Sequence, residues 1–375
     1  MIQISEKAKN VSASVTLEIS ALAKQMKADG KEVIGFTAGE PDFDTPEYVT
    51  QAAKDALDKG YTKYTPTAGI AELRNAVAKK FEKDNGLFYK PSQIVVTDGA
   101  KSALFHALYA VVSEGDEVIV PSPYWITYTE QIKLCGGVPV IVETSEKSGY
   151  KLLKSDFERA ITAKTKCVII NSPCNPTGAV YSESELRDIA EVAEKHGLTI
   201  ISDEIYEKLV FDGEKHVSVA SLSDYAKENT VIINGVSKTY SMTGWRIGYL
   251  AAPENVAKAI SSMQGHTTSN ACTFAQYASV CALESEKGED FIRYMVGEFD
   301  SRRNLLCDLL SETDGIKFLK PKGAFYVFAD VSRFYGKSAD GEKIEGSVGF
   351  AKALLKKGVA VIPGKAFGAD NCVRL

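Results

Sequence analysis

The sequence predicts an α/β fold, in which a large domain with a mainly parallel sheet flanked by helices is joined to a smaller α+β domain. Two observations support this. Continuous β-branched runs alternate with helical patterns between residues 93 and 238, as expected for strands buried on both faces of a parallel sheet. After residue 281 a long helical stretch precedes two short apolar runs separated by another helix, which indicates the smaller domain.

The candidate strands of the large domain follow one another along the chain. They are QIVVTDG (93–99), DEVIVPSP (116–123), GVPVIVET (137–144), KCVIINSP (166–173), LTIISDE (198–204) and TVIINGVSK (230–238). The run AKSALFHALYAVVS (100–113) predicts a helix after the first of them. Before LTIISDE, Ser182 and Glu185 form a capping box that begins a helix, and Gly197 marks its end.

The C-terminal part of the chain supplies the elements of the smaller domain. They are FIRYMVGEFDSRRNLLCDLLSE (291–312), GAFYVFADV (323–331), GFAKALLKKG (349–358) and VAVIPG (359–364). We expect residues 46–280 to form the large domain, and residues 1–45 together with 281–375 to form the small one.

Composition excludes several classes of protein. Hydrophobic residues make up 45% of the 375 and charged residues 25%, which are ordinary globular values. The net charge of −5 does not favour nucleic-acid binding, and no apolar run is long enough for a membrane span. The N-terminus lacks an apolar signal region, and the seven cysteines show no metal-ligand or disulfide spacing. We therefore expect a cytoplasmic protein without a metal site.

The residues that follow the apolar runs are chemically distinctive. In open α/β sheets, ligands bind outside the carboxyl ends of the strands. The residues found there are Gly99, Ala100, Lys101, Tyr124, Trp125, Asn175, Asp203, Tyr206, Ser237, Lys238 and Arg246. They combine a glycine turn at a helix start with an aromatic ring, a carboxylate, a phenol, an amide, an amine and a guanidinium.

This set suits a planar, phosphorylated aldehyde that contains nitrogen. An amine condenses with an aldehyde as a Schiff base, and a carboxylate keeps a ring nitrogen protonated. A phenol and an amide can bond a ring hydroxyl, while a helix N-terminus and a guanidinium take a phosphate. The cofactor predicted by this inventory is pyridoxal 5′-phosphate.

Several longer blocks then identify a family. They are TAGEPDFDTP (37–46), KYTPTAGIAELR (63–74), PSPYW (121–125), SPCNPTGAVY (172–181), SDEIYEKLVF (202–211), GVSKTYSMTGWRIGY (235–249), KGAFYVF (322–328) and PGKAFG (363–368). In this order they extend over almost the whole chain. The chain resembles the class I, fold-type I pyridoxal-phosphate-dependent aminotransferases, in particular the bacterial aspartate aminotransferase subgroup.

The resemblance implies how the cofactor is bound in the large domain. Lys238 would join the aldehyde as a Schiff base and then carry the proton between the substrate carbon and the cofactor. Asp203 would pair with the ring nitrogen, Tyr206 and Asn175 would bond the ring hydroxyl, and Trp125 would stack on the ring.

The phosphate contacts and the assembly are implied in the same way. Gly99, Ala100 and Arg246 would hold the phosphate, with Ser237 as a further cofactor contact. Tyr64 would reach the phosphate from the neighbouring subunit. That role implies a homodimer with shared active sites.

Other positions match the substrate site of the family. Arg374 would grip the α-carboxylate with a bidentate fork that lysine could not reproduce. Gly39 would contact the same carboxylate, and Trp125 and Asn175 would also line the substrate. Lys101 matches a lysine that meets the distal carboxylate in related aspartate enzymes. We therefore expect transamination of L-aspartate with 2-oxoglutarate, giving oxaloacetate and L-glutamate by a ping-pong mechanism.

Alternatives remain open within the fold. They are an aminotransferase for aromatic amino acids, prephenate or alanine, and a pyridoxal-phosphate-dependent β-lyase. A regulator is disfavoured because the N-terminal segment is too short for a DNA-binding domain. A nicotinamide-dependent oxidoreductase is disfavoured because no GxGxxG follows the first strand.

The chain departs from the family pattern at two places. Cys174 stands where relatives often have asparagine, and we expect only a small structural effect. The chain ends at Leu375, whereas the family continues with a strand and a helix. We therefore expect either a truncated C-terminal end or reduced support for Arg374.

Overall fold

The computed structural model describes residues 2–9, 11 and 15–375. In this part of the chain the strands are β1 (Ile34–Gly35), β2 (Ile94–Thr97), β3 (Glu117–Ser122), β4 (Val138–Glu143), β5 (Thr165–Asn171), β6 (Thr199–Asp203), β7 (Thr230–Gly235), β8 (Gly248–Ala251), β9 (Lys317–Phe318), β10 (Phe328–Asp330), β11 (Ser338–Ala339), β12 (Glu342–Lys343), β13 (Val359–Ala360), β14 (Ile362–Pro363) and β15 (Cys372–Arg374). The α-helices are α1 (Glu6–Lys9), α2 (Val15–Ala28), α3 (Glu47–Asp58), α4 (Ala71–Asn85), α5 (Ala100–Val111), α6 (Thr127–Leu134), α7 (Lys154–Ala160), α8 (Glu183–His196), α9 (Asp224–Asn229), α10 (Glu254–Gly265), α11 (Thr273–Glu284), α12 (Lys287–Ser311) and α13 (Gly346–Lys356).

The main sheet has seven strands in the order β2-β8-β7-β6-β5-β3-β4. Strands β3 to β7 run parallel, and β8 is antiparallel to both of its neighbours. The prediction of a mainly parallel sheet is confirmed, and each of the six predicted strands is present as β2 to β7. Strand β8 was not anticipated because its four residues follow the lysine block without a separate apolar run.

Helices cover both faces of the main sheet. All six residues of β7 are buried, and they alternate between the two layers. Val231 and Ile233 pack in the cluster that contains Leu104 of α5, whereas Ile232 packs with Leu73 of α4. Burial on both faces explains why the strands read as continuous apolar runs.

The capping box of α8 forms as expected. The backbone N–H of Ser182 donates to Glu185 Oε2 at 2.8 Å, and that of Glu185 donates to Ser182 Oγ at 3.3 Å. Gly197 ends the helix with φ 64°. Among the described residues, no helix combines the length and the apolar character needed to cross a membrane.

A second sheet lies in the C-terminal part of the chain. It is four-stranded and antiparallel, in the order β14-β15-β10-β9, and β1 pairs separately with β13. Of the apolar run 323–331, Phe328–Asp330 form a strand of this sheet, whereas Ala324 has φ 57° and its N–H donates to the Leu209 carbonyl. The division into domains at residue 280 stays a prediction.

Candidate active site

The predicted site residues meet at the carboxyl edge of the parallel strands. Asn171 ends β5, and it lies opposite Asp203, which ends β6. Gly235 ends β7, and Lys238 follows three residues later. Because neighbouring parallel strands end at one edge, side chains distant in sequence face the same cleft.

Asp203 is a buried carboxylate with neutral hydrogen-bond donors. Its Oδ2 accepts from the Tyr128 hydroxyl at 2.7 Å, and its Oδ1 accepts from the Ile205 backbone N–H at 3.3 Å. Burial raises its pKa to about 6; the two donors and the charge of Lys238 oppose this, while Glu204 adds to it. A cationic ligand would therefore stabilise the ionised form strongly.

Lys238 is a half-buried amine with a depressed pKa. Its Nζ donates to the carbonyl oxygen of Gly39 at 2.6 Å. Burial, with the charges of Arg246 and Arg374, lowers its pKa to about 8 against the opposing charges of Glu40 and Asp203. The amine therefore loses its proton close to neutral pH, as a nucleophile or a base requires.

The glycine turn at the start of α5 lies against Arg246. Gly99 has φ 82°, and a Cβ there would stand 2.3 Å from Arg246 Nη2. The guanidinium is held by the carbonyls of Thr243 at 2.8 Å and Asp98 at 3.3 Å. The first N–H groups of a helix have no intrahelical partner, so Ala100 and its neighbour can serve an anion here.

Trp125 is in contact with the side chains of Tyr128 and Lys101. The Trp125 and Tyr128 rings are perpendicular, with an interplanar angle of 89° and centroids 5.6 Å apart. Lys101 Nζ lies over the Trp125 ring, 4.8 Å from its centroid. Burial lowers the pKa of Lys101, and the charge of Arg246 lowers it further.

Tyr206 and Asn175 are both buried beside the cleft. The Tyr206 hydroxyl lies 2.8 Å from that of Tyr326, and burial raises its pKa well above the usual value. The Asn175 backbone N–H donates to Asn171 Oδ1 at 2.8 Å, which fixes the loop after β5. Ser237 is also buried, next to Lys238.

Arg374 is a buried guanidinium on β15. Strand β15 pairs with both β10 and β14, so Arg374 is supported on two sides. Its Nη1 donates to Asn175 Oδ1 at 3.0 Å and its Nη2 to the Thr37 carbonyl at 3.4 Å. Its Nε is buried and has no hydrogen-bond partner among the described residues, and the guanidinium lies 4.4 Å from the centroid of the Tyr326 ring. These contacts are neutral, which leaves the charge available for a carboxylate.

Tyr64 does not join these residues. Its side chain is 90% exposed on a loop between α3 and α4. Within a single chain, therefore, Tyr64 lies apart from the other residues predicted for the site, and the roles of all of them stay predictions.

Three contacts of the site were missed at the sequence level. Tyr128 bonds Asp203, Tyr326 bonds Tyr206, and Asn171 Nδ2 donates to the Asp203 carbonyl at 2.9 Å. Tyr128 follows Trp125 by one helical turn, and Asn171 ends the strand before SPCNPTG; both positions were readable signals. No sequence signal indicated Tyr326, because its contact with Tyr206 depends on the packing of a distant segment of the chain.

Comparison with known proteins decides the family. The family model for aminotransferase class I and II matches residues 31–375. A probable aspartate/prephenate aminotransferase of Aquifex aeolicus (strain VF5) is 49% identical over 373 residues, covering 99% of this chain and 93% of that protein. The chain belongs to the class I and II aminotransferases. An aspartate aminotransferase of Bacillus subtilis (strain 168) is 48% identical and covers 98% of the chain and 93% of its own length.

Solved aminotransferase structures share the fold. That of the aspartate aminotransferase from Rhizobium meliloti has a TM-score of 0.96 at 41% identity, covering 100% of this chain and 94% of that one. The Thermus thermophilus aspartate aminotransferase with maleate has a TM-score of 0.94 at 42% identity, covering 100% and 95%. The cofactor of this aminotransferase is pyridoxal 5′-phosphate.

The residues present fit that cofactor. At position 99 only a residue without a Cβ fits beside the Arg246 guanidinium. The helix N-terminus and the guanidinium therefore lie side by side, which suits a phosphate. The buried Asp203 carboxylate is contacted by neutral donors, which suits a protonated ring nitrogen. The Lys238 amine, with its pKa near 8, suits covalent attachment to an aldehyde.

Proposed function

We propose that this aminotransferase transfers the amino group of L-aspartate to 2-oxoglutarate, giving oxaloacetate and L-glutamate in two alternating half-reactions. The observation that supports this best is the set of cations along one cleft: Lys101, Arg246, Lys238 and Arg374. One phosphate and two substrate carboxylates would satisfy three of them. The fourth, Lys238, is the amine that performs the chemistry.

The residues around Lys238 would divide the chemical work. Bound pyridoxal phosphate supplies an electrophilic carbon and an electron sink for the Cα electrons of the substrate. Lys238 would hold the cofactor through its amine, and the same amine would carry the proton to and from the substrate Cα. Asp203 keeps the ring nitrogen protonated, because the buried carboxylate gains its cation there. Tyr206 and Asn175 orient the ring through its hydroxyl.

The phosphate would be held from two subunits. Gly99, Ala100, Ser237 and Arg246 belong to the subunit that carries Lys238. We propose that Tyr64 belongs to the site of the partner subunit in a homodimer, since its phenol is exposed in its own chain.

The substrate would be oriented by its two ends. Arg374 would bind the α-carboxylate, with Asn175 and Gly39 beside it, and Trp125 would stack on the cofactor ring. Lys101 would meet the distal carboxylate, since its ammonium lies at the cleft over Trp125. The Thermus thermophilus aspartate aminotransferase was solved with maleate, which is also a dicarboxylate, and this supports the assignment.

Prephenate is a second candidate for the amino acceptor. Relatives named aspartate/prephenate aminotransferase are 49% and 45% identical to this chain. Prephenate also carries two carboxylates, so the same cations can bind it.

We further propose a cytoplasmic location, which the seven free cysteines support.

The absorbance spectrum tests the proposal most directly. We expect a visible band from the bound cofactor that disappears when L-aspartate is added alone and returns with 2-oxoglutarate or prephenate. A band that only another amino acid removes would retain the aminotransferase and refute the aspartate assignment.

Replacing Lys101 tests the choice of a dicarboxylate. Lys101→Ala is expected to lower kcat/KM for aspartate by about tenfold or more, because a charged hydrogen bond contributes roughly 1.5–3 kcal/mol, and to leave phenylalanine nearly unchanged. Lys133→Ala, which removes a lysine paired with Glu130 on α6, is the matched control. Equal losses for both amino acids would contradict the role of Lys101.

A further inference from the structure

The loop that carries Tyr64 is fixed along its backbone although the phenol is exposed. The Thr273 hydroxyl donates to the Lys63 carbonyl at 2.8 Å. Gln276 Nε2 donates to Thr65 Oγ1 at 3.2 Å. Thr273 and Gln276 both lie in the first turn of α11, so one helix end holds the residues on either side of Tyr64.

Two glutamines without solvent exposure extend this anchorage. Gln276 Oε1 accepts from the Ile70 backbone N–H at 2.9 Å, so Gln276 holds the loop at a second point. Gln264 of α10 donates from Nε2 to the Thr67 carbonyl at 2.8 Å. Burying an amide is costly unless it is hydrogen-bonded, and both amides direct hydrogen bonds to this one loop.

The loop is also attached to the strand that leads to the glycine turn. Gln264 Nε2 donates to the Val96 carbonyl at 2.8 Å as well, and the Val96 N–H donates to the Ala68 carbonyl at 3.0 Å. Gly69 has φ 97°, and a Cβ there would lie 2.6 Å from Val96 Cγ2. The loop backbone therefore packs directly against β2 and is hydrogen-bonded to it.

We propose that Gln276 and Gln264 are positioning residues that present Tyr64 to the phosphate site of the partner subunit. The inference rests on the proposed role of Tyr64. A tyrosine side chain has few rotatable bonds, so the place of its hydroxyl is set mainly by the backbone. A backbone fixed before assembly avoids the cost of ordering the loop when the dimer binds phosphate. The two glutamines would therefore act in trans, on the partner's site that Tyr64 enters.

Mixed dimers separate action in trans from action in cis. One subunit carries Lys238→Ala, so the absorbance band of covalently bound cofactor reports only the subunit that retains Lys238. Gln276→Met is then placed in one subunit or the other, and cofactor is titrated into the cofactor-free dimer. We expect Gln276→Met in the Lys238→Ala subunit to raise the dissociation constant about tenfold, as for the loss of about 1.4 kcal/mol. The same change in the reporting subunit leaves it within about twofold.

Milder and matched variants complete the test. Thr273→Val removes one loop bond without a change of shape, and we expect a smaller loss with the same preference for trans. Ser279→Ala removes a buried hydroxyl of α11 that donates to the Ala275 carbonyl within the same helix, and we expect no effect in either subunit. The thermal midpoint of each cofactor-free dimer shows whether the variant is folded.

The outcomes distinguish this inference from the proposed role of Tyr64, on which it rests. Tyr64→Phe in trans should weaken cofactor binding, and Gln276→Met should add nothing further in that background. If Tyr64→Phe has no effect in trans, the proposed role of Tyr64 fails and the inference fails with it. If Tyr64→Phe acts in trans but Gln276→Met acts equally in both subunits, the glutamine is merely structural and the inference alone is overturned.

Discussion

Asp203 ends β6, and Glu207 follows it by four residues. Both carboxylates are buried, but their pKa values are shifted in opposite directions. Glu207 is in contact with a cation of its own chain, because Lys80 Nζ from α4 lies 2.5 Å from Oε1. Burial raises the pKa of Glu207, but Lys80, His216 and Lys208 outweigh it and the net pKa is lowered. For Asp203 burial dominates, and the pKa rises to about 6.

The difference separates a structural charge from a charge that serves a ligand. A buried ion that already has its counterion contributes to a fixed architecture, whereas one with only neutral donors gains most from a cation that arrives later. The ligand atoms of Glu204, Glu207 and His216 lie within 4.8 Å of one another, but the Lys80 ammonium already supplies a positive charge at this cluster. The prediction that the chain has no metal site stays a prediction.

Replacing Asp203 should produce the largest effect. Asp203→Asn leaves the ring nitrogen without its counterion, and loss of one partner of a buried pair costs about 3–5 kcal/mol. We expect the rate of the aspartate half-reaction, measured in single turnovers, to fall by about a thousandfold. The cofactor-free variant should be no less stable than wild type in urea. A stable variant with nearly normal rates would remove Asp203 from the mechanism.

Replacing Glu207 should affect stability instead. Glu207→Gln removes the carboxylate nearest to the buried Lys80 ammonium, at 2.5 Å, and leaves it with Asn85 Oδ1 at 2.9 Å and the more distant Asp84 carboxylate at 3.9 Å. We therefore expect the free energy of unfolding to fall by up to about 3 kcal/mol. The half-reaction should change by no more than about threefold, or well under 1 kcal/mol in the barrier.

Two controls refine that prediction. Glu289→Gln breaks an exposed pair, in which Lys83 Nζ lies 2.6 Å from Oε1, and should cost less than about 1 kcal/mol. The double change Lys80→Met with Glu207→Leu removes both charges and should recover most of the stability. A loss confined to activity would contradict the structural assignment of Glu207.

The pH dependence of stability should have opposite signs at the two carboxylates. The folded pKa of Asp203 is raised from 3.8 to about 6, so its contribution is favourable below pH 4 and is lost as the pH rises to 6. In cofactor-free protein this amounts to about 2–3 kcal/mol relative to Asp203→Asn. The folded pKa of Glu207 is lowered from 4.5, so its contribution is present above that value and is lost as the pH falls. Urea titrations of wild type, Asp203→Asn and Glu207→Gln between pH 3 and 7 measure both slopes; slopes of one sign would refute the comparison.

Much of the architecture was readable because local patterns determine it. The apolar runs of β2 to β7 and the capping box of α8 are signals within short windows, and the strand ends placed Asp203 and Lys238 at one edge. The four residues of β8 carry no comparable signal, and only its pairing with β2 and β7 makes it a strand.

The supporting contacts of the site were less accessible. The bond between Lys80 and Glu207 joins residues 127 positions apart, and that between Arg374 and Asn175 joins residues 199 apart. Such contacts depend on how helices and sheets pack, which composition and spacing do not determine. Lys101 was anticipated near the distal carboxylate, but its position over the Trp125 ring was not.

The strand that carries Arg374 belongs to the four-stranded sheet, whereas Asp203, Lys238 and Arg246 belong to the main sheet or the turns beside it. The bond from Arg374 to Asn175 joins the two parts at the cleft, as does the bond between the Tyr206 and Tyr326 hydroxyls. Cofactor binding, seen as the visible absorbance band, and the response of that band to aspartate can therefore be lost separately. If mild denaturant opens the C-terminal sheet first, the protein would keep the visible absorbance band of its cofactor but would no longer respond to aspartate. The band itself would be lost only at higher denaturant concentration.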